Sequence, residues 1–264
     1  METVIQYYDN YDESARLTTD NARKLEFMTT THILDKYITG GADILDLGAG
    51  GGIYTFYYAD KGNKVVSTDI TPKHVEAIQC KADLHRYPNI TTHILNAVDL
   101  SRFDAERFDV VLCLGPMYHL MDPRDRDACL SECLRVLKPG GILAVAYINK
   151  YFTVPYLIKS DRRYLDEEWI SHVIEQGRSV PTETDAFLKL AQFLAPDEIE
   201  GLLEPYGVAK LDHAATDGIG IFMRETINQL SEEEYGLWVK YHLATCSEPS
   251  LLGASNHGLY VCRK

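Results

Sequence analysis

Four glycines and one acid lie close together near residue 50, in a pattern that could bind a nucleotide-like ligand. The stretch reads Asp46-x-Gly48-x-Gly50-Gly51-Gly52 and follows an apolar run at residues 44–47. Because glycine has no Cβ, the backbone can turn sharply here and its N–H groups can come close to a ligand. A helical pattern begins directly afterwards, and the positive end of its dipole would face the same place. The pattern therefore predicts a ligand site between a buried strand and a helix.

The spacing of the glycines distinguishes between two kinds of ligand. A dinucleotide-binding turn reads G-x-G-x-x-G, but Ile53 stands where its third glycine belongs. A nicotinamide-dependent oxidoreductase is therefore an alternative that the spacing disfavours. An acid two positions before the first glycine suits instead a ligand that carries an ammonium group and no diphosphate.

A second acid, Asp69, stands at the end of the next predicted strand. A carboxylate at that place can accept hydrogen bonds from both ribose hydroxyls of an adenosine. The alternative is that Asp69 only caps the turn into the following helix. We predict the ribose role because the glycine-rich turn lies upstream.

The elements that must position these residues alternate between strand and helix. This alternation is typical of an α/β protein with a doubly wound parallel sheet. A helix at 20–38 precedes the first strand, and a Lys-Pro-Gly-Gly segment at 138–141 is expected to end the helix at 125–137. After residue 149 the alternation is lost. The predicted strands are 44–47, 64–68, 91–95, 108–114, 142–148, 208–213 and 258–263.

Five segments, in order, resemble the motifs of class I S-adenosylmethionine (SAM)-dependent methyltransferases. The glycine-rich turn resembles motif I, and Asp69 and Asp99 are similar to the family's acids after strands two and three. Residues 108–120 (FDVVLCLGPMYHL) resemble motif IV, and residues 134–143 (LRVLKPGGIL) resemble the segment before strand five. Together they cover about residues 40–150. The stretches YYDNYDE (7–13), LGPMYH (114–119) and YHLATC (241–246) look like a bacterial, small-molecule branch.

The resemblance implies a seven-stranded Rossmann-like sheet, its last strand antiparallel, with a helical cap insertion. SAM is the implied cofactor and S-adenosylhomocysteine the product. Asp99 would accept from the adenine amino group, and Arg16 would pair with the SAM carboxylate from the N-terminal arm, unless it forms only a surface ion pair. The predicted cofactor-binding residues are Tyr11, Arg16, Asp46, Gly48, Ala49, Gly50, Asp69, Ile70, Ala97, Val98, Asp99 and Leu114.

Methyl transfer needs a base only when the nucleophile arrives protonated. His119, just past the fourth strand, is the predicted base, and Tyr118 is the second predicted catalytic residue. Both could also have ordinary structural roles. A zinc site through His242, Cys246 and His257 would match known spacings poorly, so we expect no metal. The predicted substrate-binding residues are Tyr54, Tyr147, Arg224, His242 and His257.

The expected reaction moves a methyl group to an oxygen, nitrogen or sulfur atom of a small molecule. The net charge of −13, from 26 basic and 39 acidic residues, disfavours nucleic acid as a partner. We expect a cytoplasmic monomer or homodimer with no membrane partner, because the N-terminus lacks a signal-peptide pattern and no long apolar run occurs. The alternatives are an RNA or protein methyltransferase and a SAM-binding protein without turnover.

The predicted organisation has six parts. The core holds the glycine-rich turn, and the inserted segments are expected to cover it. The parts are an N-terminal helical arm or lid (1–39), a SAM-binding core (40–150), a cap insertion (151–195), a core helix and strand (196–213), a second cap segment (214–256) and a last core strand (257–264).

Overall fold

A mixed β-sheet with helices on both faces forms the centre of the computed structural model, which describes residues 2–11, 13 and 15–264. The strand order is β3-β2-β1-β4-β5-β8-β7, and β6 pairs with β5 outside this path. The strands are β1 (Asp43–Leu47), β2 (Lys64–Asp69), β3 (Ile90–Ile94), β4 (Phe108–Cys113), β5 (Leu137–Asn149), β6 (Phe193–Leu194), β7 (Ala209–Ala215) and β8 (His257–Arg263).

The predicted α/β fold is confirmed, with one difference in the number of strands. β1 to β5 run parallel, and β8 runs antiparallel to both β5 and β7. The main path therefore has the predicted seven strands. The eighth strand, β6, has two residues and pairs in parallel with Ile148 and Asn149. So short a strand has no alternation from which the sequence could predict it.

Ten α-helices connect and cover these strands in the described part of the chain. α3 and α4 follow β1 and β2 directly, as expected for a doubly wound sheet. The helices are α1 (Glu2–Asn10), α2 (Asn21–Leu34), α3 (Ile53–Asp60), α4 (Pro72–His85), α5 (Pro123–Val136), α6 (Lys150–Ser160), α7 (Glu167–Gln176), α8 (Pro196–Leu203), α9 (Arg224–Asn228) and α10 (Glu232–Thr245).

The helix before the Lys-Pro-Gly-Gly segment ends within one residue of the predicted position, but residues 138–141 themselves belong to β5, which begins five residues earlier than predicted. α5 ends at Val136, and Leu137 already pairs with Phe108 of β4. Gly140 donates its N–H to the carbonyl of Lys264 at 2.9 Å, and Lys264 donates to Gly141 at 3.0 Å. The end of the chain thus supplies the partners that keep this segment extended.

Alternate residues of the central strands pack on opposite faces of the sheet. Leu45 and Val111 belong to one buried cluster, while Ile44 and Val110 belong to the other. Both clusters consist of buried apolar side chains, so β1 and β4 are covered on both sides. The carboxyl end of β1, where the glycine-rich turn begins, is therefore packed on both faces of the sheet.

The two inserted segments pack against different neighbours. Residues 151–195 build a cluster of their own around Trp169, whereas Ile227 of α9 packs against Ala22 and Leu25 of α2. The segments meet where the Phe152 ring lies 6.2 Å from the Phe222 ring. Within the described residues, no helix is both long and apolar enough to cross a membrane.

Candidate functional site

The turn between β1 and α3 is shaped by glycines in the left-handed region. Gly48 has φ 71° and Gly52 has φ 75°, and L side chains rarely adopt such values. A Cβ on Gly48 would lie 2.8 Å from Cδ of Pro116, which follows β4. The turn is also tied to β2, because Gly48 and Ala49 donate to the carbonyl of Thr68 at 2.8 and 2.9 Å. Glycine at position 48 is thus required both by the backbone angle and by the close approach of Pro116.

A first cavity lies over this turn, at the carboxyl ends of the parallel strands. This is the edge at which open α/β sheets bind ligands. The cavity lining includes ten of the residues predicted for the site, namely Arg16, Asp46, Gly48, Ala49, Gly50, Tyr54, Asp69, Ile70, Ala97 and Leu114, together with His119 and Tyr118.

Asp69 connects the glycine-rich turn to the end of β2. Its carboxylate accepts from the N–H of Gly50 at 2.9 Å and from the N–H of Thr71 at 2.8 Å. Burial raises the pKa of Asp69, but His74 and these two N–H groups outweigh burial and hold the pKa below its ordinary value. The carboxylate is therefore ionised at neutral pH and can accept further hydrogen bonds from a ligand in the cavity.

Asp46 lies deeper, with 2% of its surface exposed. Burial raises the pKa of this carboxyl to about 6, although a hydrogen bond from Thr55 Oγ1 at 2.6 Å opposes the shift and nearby Asp69 adds to it. A cationic ligand would lower the pKa of Asp46 again, because it would compensate the buried negative charge of the carboxylate. The ammonium group of SAM is such a cation, so the site fits the cofactor that the motifs imply.

The segment after β3 reaches the cavity with one of its three predicted residues, Ala97, and with Asn96, which was not predicted. Asn96 and Ala97 line the cavity, whereas Val98 and Asp99 do not. Asp99 is exposed and accepts from the N–H of Ser101 at 3.0 Å. The N–H of Asp99 donates to the carbonyl of Asn96, and this tight turn carries the Asp99 side chain outwards. The structure therefore does not bring Asp99 to the place expected for an adenine ligand.

His119 is half-buried at the far side of the first cavity, and both of its ring nitrogens have partners. Nδ1 lies 3.1 Å from the carbonyl of Leu190, which can only accept, so Nδ1 carries the proton. Nε2 then accepts from the hydroxyl of Tyr8 at 2.8 Å. Burial lowers the pKa of His119, against the opposing effects of Leu190 and Asp69, and so favours the neutral ring.

Arg16 lies between two carboxylates of the protein itself. Its Nε donates to Glu13 at 2.6 Å, and its two terminal nitrogens donate to Glu26 at 2.7 and 2.9 Å. Burial raises the pKa of Glu26, but Arg16 and His257 outweigh it and lower that pKa to about 2. Arg16 is placed at the cavity as predicted, yet its charge is already balanced. Its pairing with the SAM carboxylate therefore stays a prediction.

A second cavity adjoins the first and shares four of its wall residues, Tyr8, Glu13, Arg16 and Tyr118. Three of the other predicted residues, Tyr11, Arg224 and His257, line this cavity. Arg224 also donates to Asp20 at 2.6 Å. Tyr54, predicted as a substrate contact, lines only the first cavity.

Two predicted substrate residues lie away from both cavities. The Tyr147 ring packs on Gly258, where a Cβ would lie 2.2 Å from the ring, and its hydroxyl meets Nε2 of His213 at 2.8 Å. His242 is buried between α2 and α10, and its Nε2 lies 2.8 Å from Thr29 Oγ1. Tertiary packing thus gives both side chains partners in the protein interior.

Several residues of the site were not predicted from the sequence. Tyr8, Glu13, His74 and Glu26 line the cavities, and buried Asp217 contacts His257. The acids and tyrosines of the N-terminal arm were a signal, because aromatic residues are scarce in disordered segments. Glu26 lies in the middle of α2, and Asp217 lies in a loop, so neither has a local pattern that marks it.

Comparison with known proteins agrees with the motifs. Residues 44–141 match the family described as a methyltransferase domain. A ubiquinone biosynthesis O-methyltransferase from Cereibacter sphaeroides is 30% identical over 179 residues, which are 65% of this chain and 62% of that protein. The chain thus spans less than two thirds of the length of such relatives.

Two solved structures share the fold. A SAM-dependent methyltransferase from Methanosarcina mazei matches with a TM-score of 0.60 at 20% identity, covering 88% of this chain and 96% of that chain. A 1,6-didemethyltoxoflavin-N1-methyltransferase from Burkholderia thailandensis, with 1,6-didemethyltoxoflavin and S-adenosylhomocysteine bound, matches with a TM-score of 0.58 at 14% identity. That match covers 100% of this chain and 88% of the other. The prediction from the motifs is confirmed: residues 44–141 form a methyltransferase domain, and the chain has the Rossmann-like fold of SAM-dependent methyltransferases.

Proposed function

We propose that this chain transfers a methyl group from SAM to a small molecule that binds in the second cavity. The observation that carries the proposal is the shared wall between the two cavities, made by Tyr8, Glu13, Arg16 and Tyr118. A ligand over the glycine-rich turn and a ligand in the second cavity would both contact these four residues and would therefore lie next to each other. Such an arrangement aligns a nucleophile with a methyl group and excludes water.

The residues of the first cavity have defined tasks in this proposal. SAM supplies the chemistry, because its sulfonium sulfur is the leaving group. Asp69 would hold the ribose, Asp46 would face the ammonium group, and the N–H groups of the glycine-rich turn would approach the ligand. Asn96 and Ala97 would take the adenine side in place of Asp99. His119 stays a predicted base, which first has to release Tyr8.

A small molecule fits the second cavity better than a polymer does. The cavity has walls from α1, α2, α6 and the loop before β8, so it is surrounded by several elements. Concave sites that combine aromatic and apolar side chains with a few charged groups are typical of sites for small organic ligands. The names of the relatives favour oxygen as the nucleophile, although a structural neighbour is named for methylation at nitrogen.

Binding and turnover can be tested separately. In isothermal titration calorimetry, we expect S-adenosylhomocysteine to bind with micromolar affinity and NADH not to bind. Binding of NADH alone would contradict the family assignment of the site. When SAM and a panel of phenols, amines and thiols are supplied, S-adenosylhomocysteine should accumulate with at least one acceptor. Tight binding without accumulation for any acceptor would instead support a SAM-binding protein without turnover.

A further inference from the structure

We propose that His257, oriented by Asp217, is the base that accepts the proton of an aromatic hydroxyl group in the second cavity. The inference rests on the proposed methyl transfer and adds the class of acceptor and the residue that prepares it. His257 begins β8, while Asp217 lies in the loop that follows β7. The antiparallel pairing of these two strands brings the residues together.

Asp217 is completely buried and is held by three donors of the protein. One carboxylate oxygen accepts from Ser255 Oγ at 2.6 Å and from the N–H of His257 at 3.1 Å. The other oxygen lies 2.9 Å from Nδ1 of His257. An ionised carboxylate can only accept, so Nδ1 carries the proton of the neutral ring. Nε2 then has the free electron pair that a base needs.

The ring of His257 is placed so that Nε2 is available to a ligand. His257 lines the second cavity, and its side chain is 15% exposed. Among the described residues, every polar contact of the ring involves Nδ1, with Asp217, Glu26 and Asn256 as partners. His119 differs, because Leu190 and Tyr8 occupy both of its nitrogens.

The walls of the second cavity favour a planar aromatic acceptor. Tyr7 stacks on Tyr11 with 5.6 Å between ring centroids, and Phe187 lies 5.9 Å from Tyr7. These rings line the cavity together with Tyr156. A flat ring can stack on such walls at favourable distances. A base would be superfluous for a neutral amine, whereas a hydroxyl group must lose its proton to become a good nucleophile.

The proposed step balances in atoms and charge. The hydroxyl proton moves to Nε2 of His257 while the hydroxyl oxygen attacks the methyl carbon of SAM. The bond between that carbon and the sulfur breaks, and its electron pair stays on the sulfur. The products are the methyl ether, neutral S-adenosylhomocysteine and protonated His257. The positive charge has thus moved from the sulfonium to the imidazolium beside Asp217, and His257 later releases the proton to solvent.

The charged groups around His257 determine the pH range of this step. Glu26 of α2 lies 3.3 Å from Nδ1, Asp217 lies on the other side, and Arg16 is bound to Glu26. Burial lowers the pKa of His257, and so does Arg16, but Glu26 and Asp217 outweigh both and raise it above the ordinary value. Only the neutral ring can accept a proton. The rate should therefore fall as the pH drops through this raised pKa.

The experiment uses the full chain with SAM and a panel of catechol, phenol, aniline and thiophenol, in which both hydroxyl probes arrive protonated at neutral pH. We expect methylation of a phenolic probe, and His257→Gln should lower kcat at least 100-fold while the affinity for S-adenosylhomocysteine changes less than threefold. The exposed histidine His85 provides the matched control, and His85→Gln should leave all parameters unchanged. A thermal melt of each variant confirms that it is folded.

Positioning by the carboxylates is tested through the pH profile. Asp217→Asn or, if that variant does not fold, Glu26→Gln should move the acidic limb of kcat/KM to lower pH, because either change removes a charge that raises the pKa of His257. A merely structural role would change the rate without moving the limb.

Three results would overturn the inference. One is unchanged phenol methylation in His257→Gln, and another is loss of activity only in His119→Gln. A third is methylation of amines or thiols but of no phenol. Each of these leaves the proposed methyl transfer standing. If the affinity for S-adenosylhomocysteine were absent in the unaltered chain, the proposed function itself would fail.

Discussion

At the scale of single residues, the position of Asp69 is compatible with both roles that the sequence suggested as alternatives. Its carboxylate holds the turn through Gly50 and Thr71, and it also lines the first cavity. Asp99 has the same residue type and also follows a strand, yet its side chain is exposed. The pair shows that an acid after a parallel strand reaches the cavity only if the next turn directs it inwards.

Asp69→Asn should weaken binding of S-adenosylhomocysteine about 10- to 100-fold, which corresponds to about 1.4–2.7 kcal/mol. An amide has only one accepting oxygen and no charge, so it cannot serve the turn and the ribose equally well. Calorimetric titration measures the affinity. Asp99→Asn is the control and should change the affinity less than twofold. Equal losses in both variants would contradict the assignment of the first cavity.

At the scale of elements, the turn between β1 and α3 depends on its contact with the segment after β4. Pro116 fills the space beside Gly48, and Tyr118 and His119 follow in the same short helical turn. The glycine-rich turn and the predicted catalytic residues are therefore packed against each other. A change at Gly48 would be transmitted to both cavities.

Gly48→Ala should lower the free energy of unfolding by about 1–3 kcal/mol, because it combines backbone strain with a clash against Pro116. It should also reduce the affinity for S-adenosylhomocysteine more than tenfold. Denaturation in urea and calorimetry measure the two effects. Gly236 in α10 is exposed and has nothing within 4 Å of a Cβ, so Gly236→Ala should stabilise by about 0.5–1 kcal/mol. Stability of Gly48→Ala equal to that of the unaltered chain would refute this account of the turn.

Only the tertiary structure shows that α1 contacts both cavities. Its Tyr8 lines both cavities and donates to His119, 111 positions later in the chain. The arm was expected to act as a lid, and that role stays a prediction. The structure adds a specific contact through which ligand binding and the position of α1 would be coupled.

At the scale of the whole molecule, the excess of acidic residues bears on the kind of acceptor. A net charge of −13 repels polyanions at distances up to the Debye length, about 8 Å at physiological salt. Binding of RNA is dominated by contacts of basic residues with phosphates. An acceptor that enters the second cavity has no need of such contacts.

We therefore expect no binding of labelled tRNA in fluorescence anisotropy at about 150 mM salt. A tRNA-binding protein in the same buffer serves as the positive control. The measurement is independent of any acceptor being known. Tight binding of tRNA would contradict the proposal of a small-molecule acceptor and would favour the alternative of an RNA methyltransferase.

The sequence by itself determined the sheet, the glycine-rich turn and the family. These features depend on residues close together in the chain: apolar runs predict strands, and glycines in the left-handed region permit the turn. The approximate strand positions and 12 of the 26 residues that line the first cavity could therefore be predicted. The inclusion of residues 138–141 in β5 could not be predicted, because this segment pairs with Lys264 at the end of the chain.

Only the tertiary structure decided which polar residues meet. The Glu26–Arg16–Glu13 group, the pair of Tyr8 and His119, and the pair of Asp217 and His257 join separate elements. Local periodicity in the sequence cannot predict such contacts, because they depend on how inserted segments pack on the sheet. For the same reason Tyr147 and His242, which were plausible as ligand contacts, lie in the protein interior. Local patterns specify the glycine-rich turn and the first cavity over it, whereas the second cavity depends on packing between distant segments.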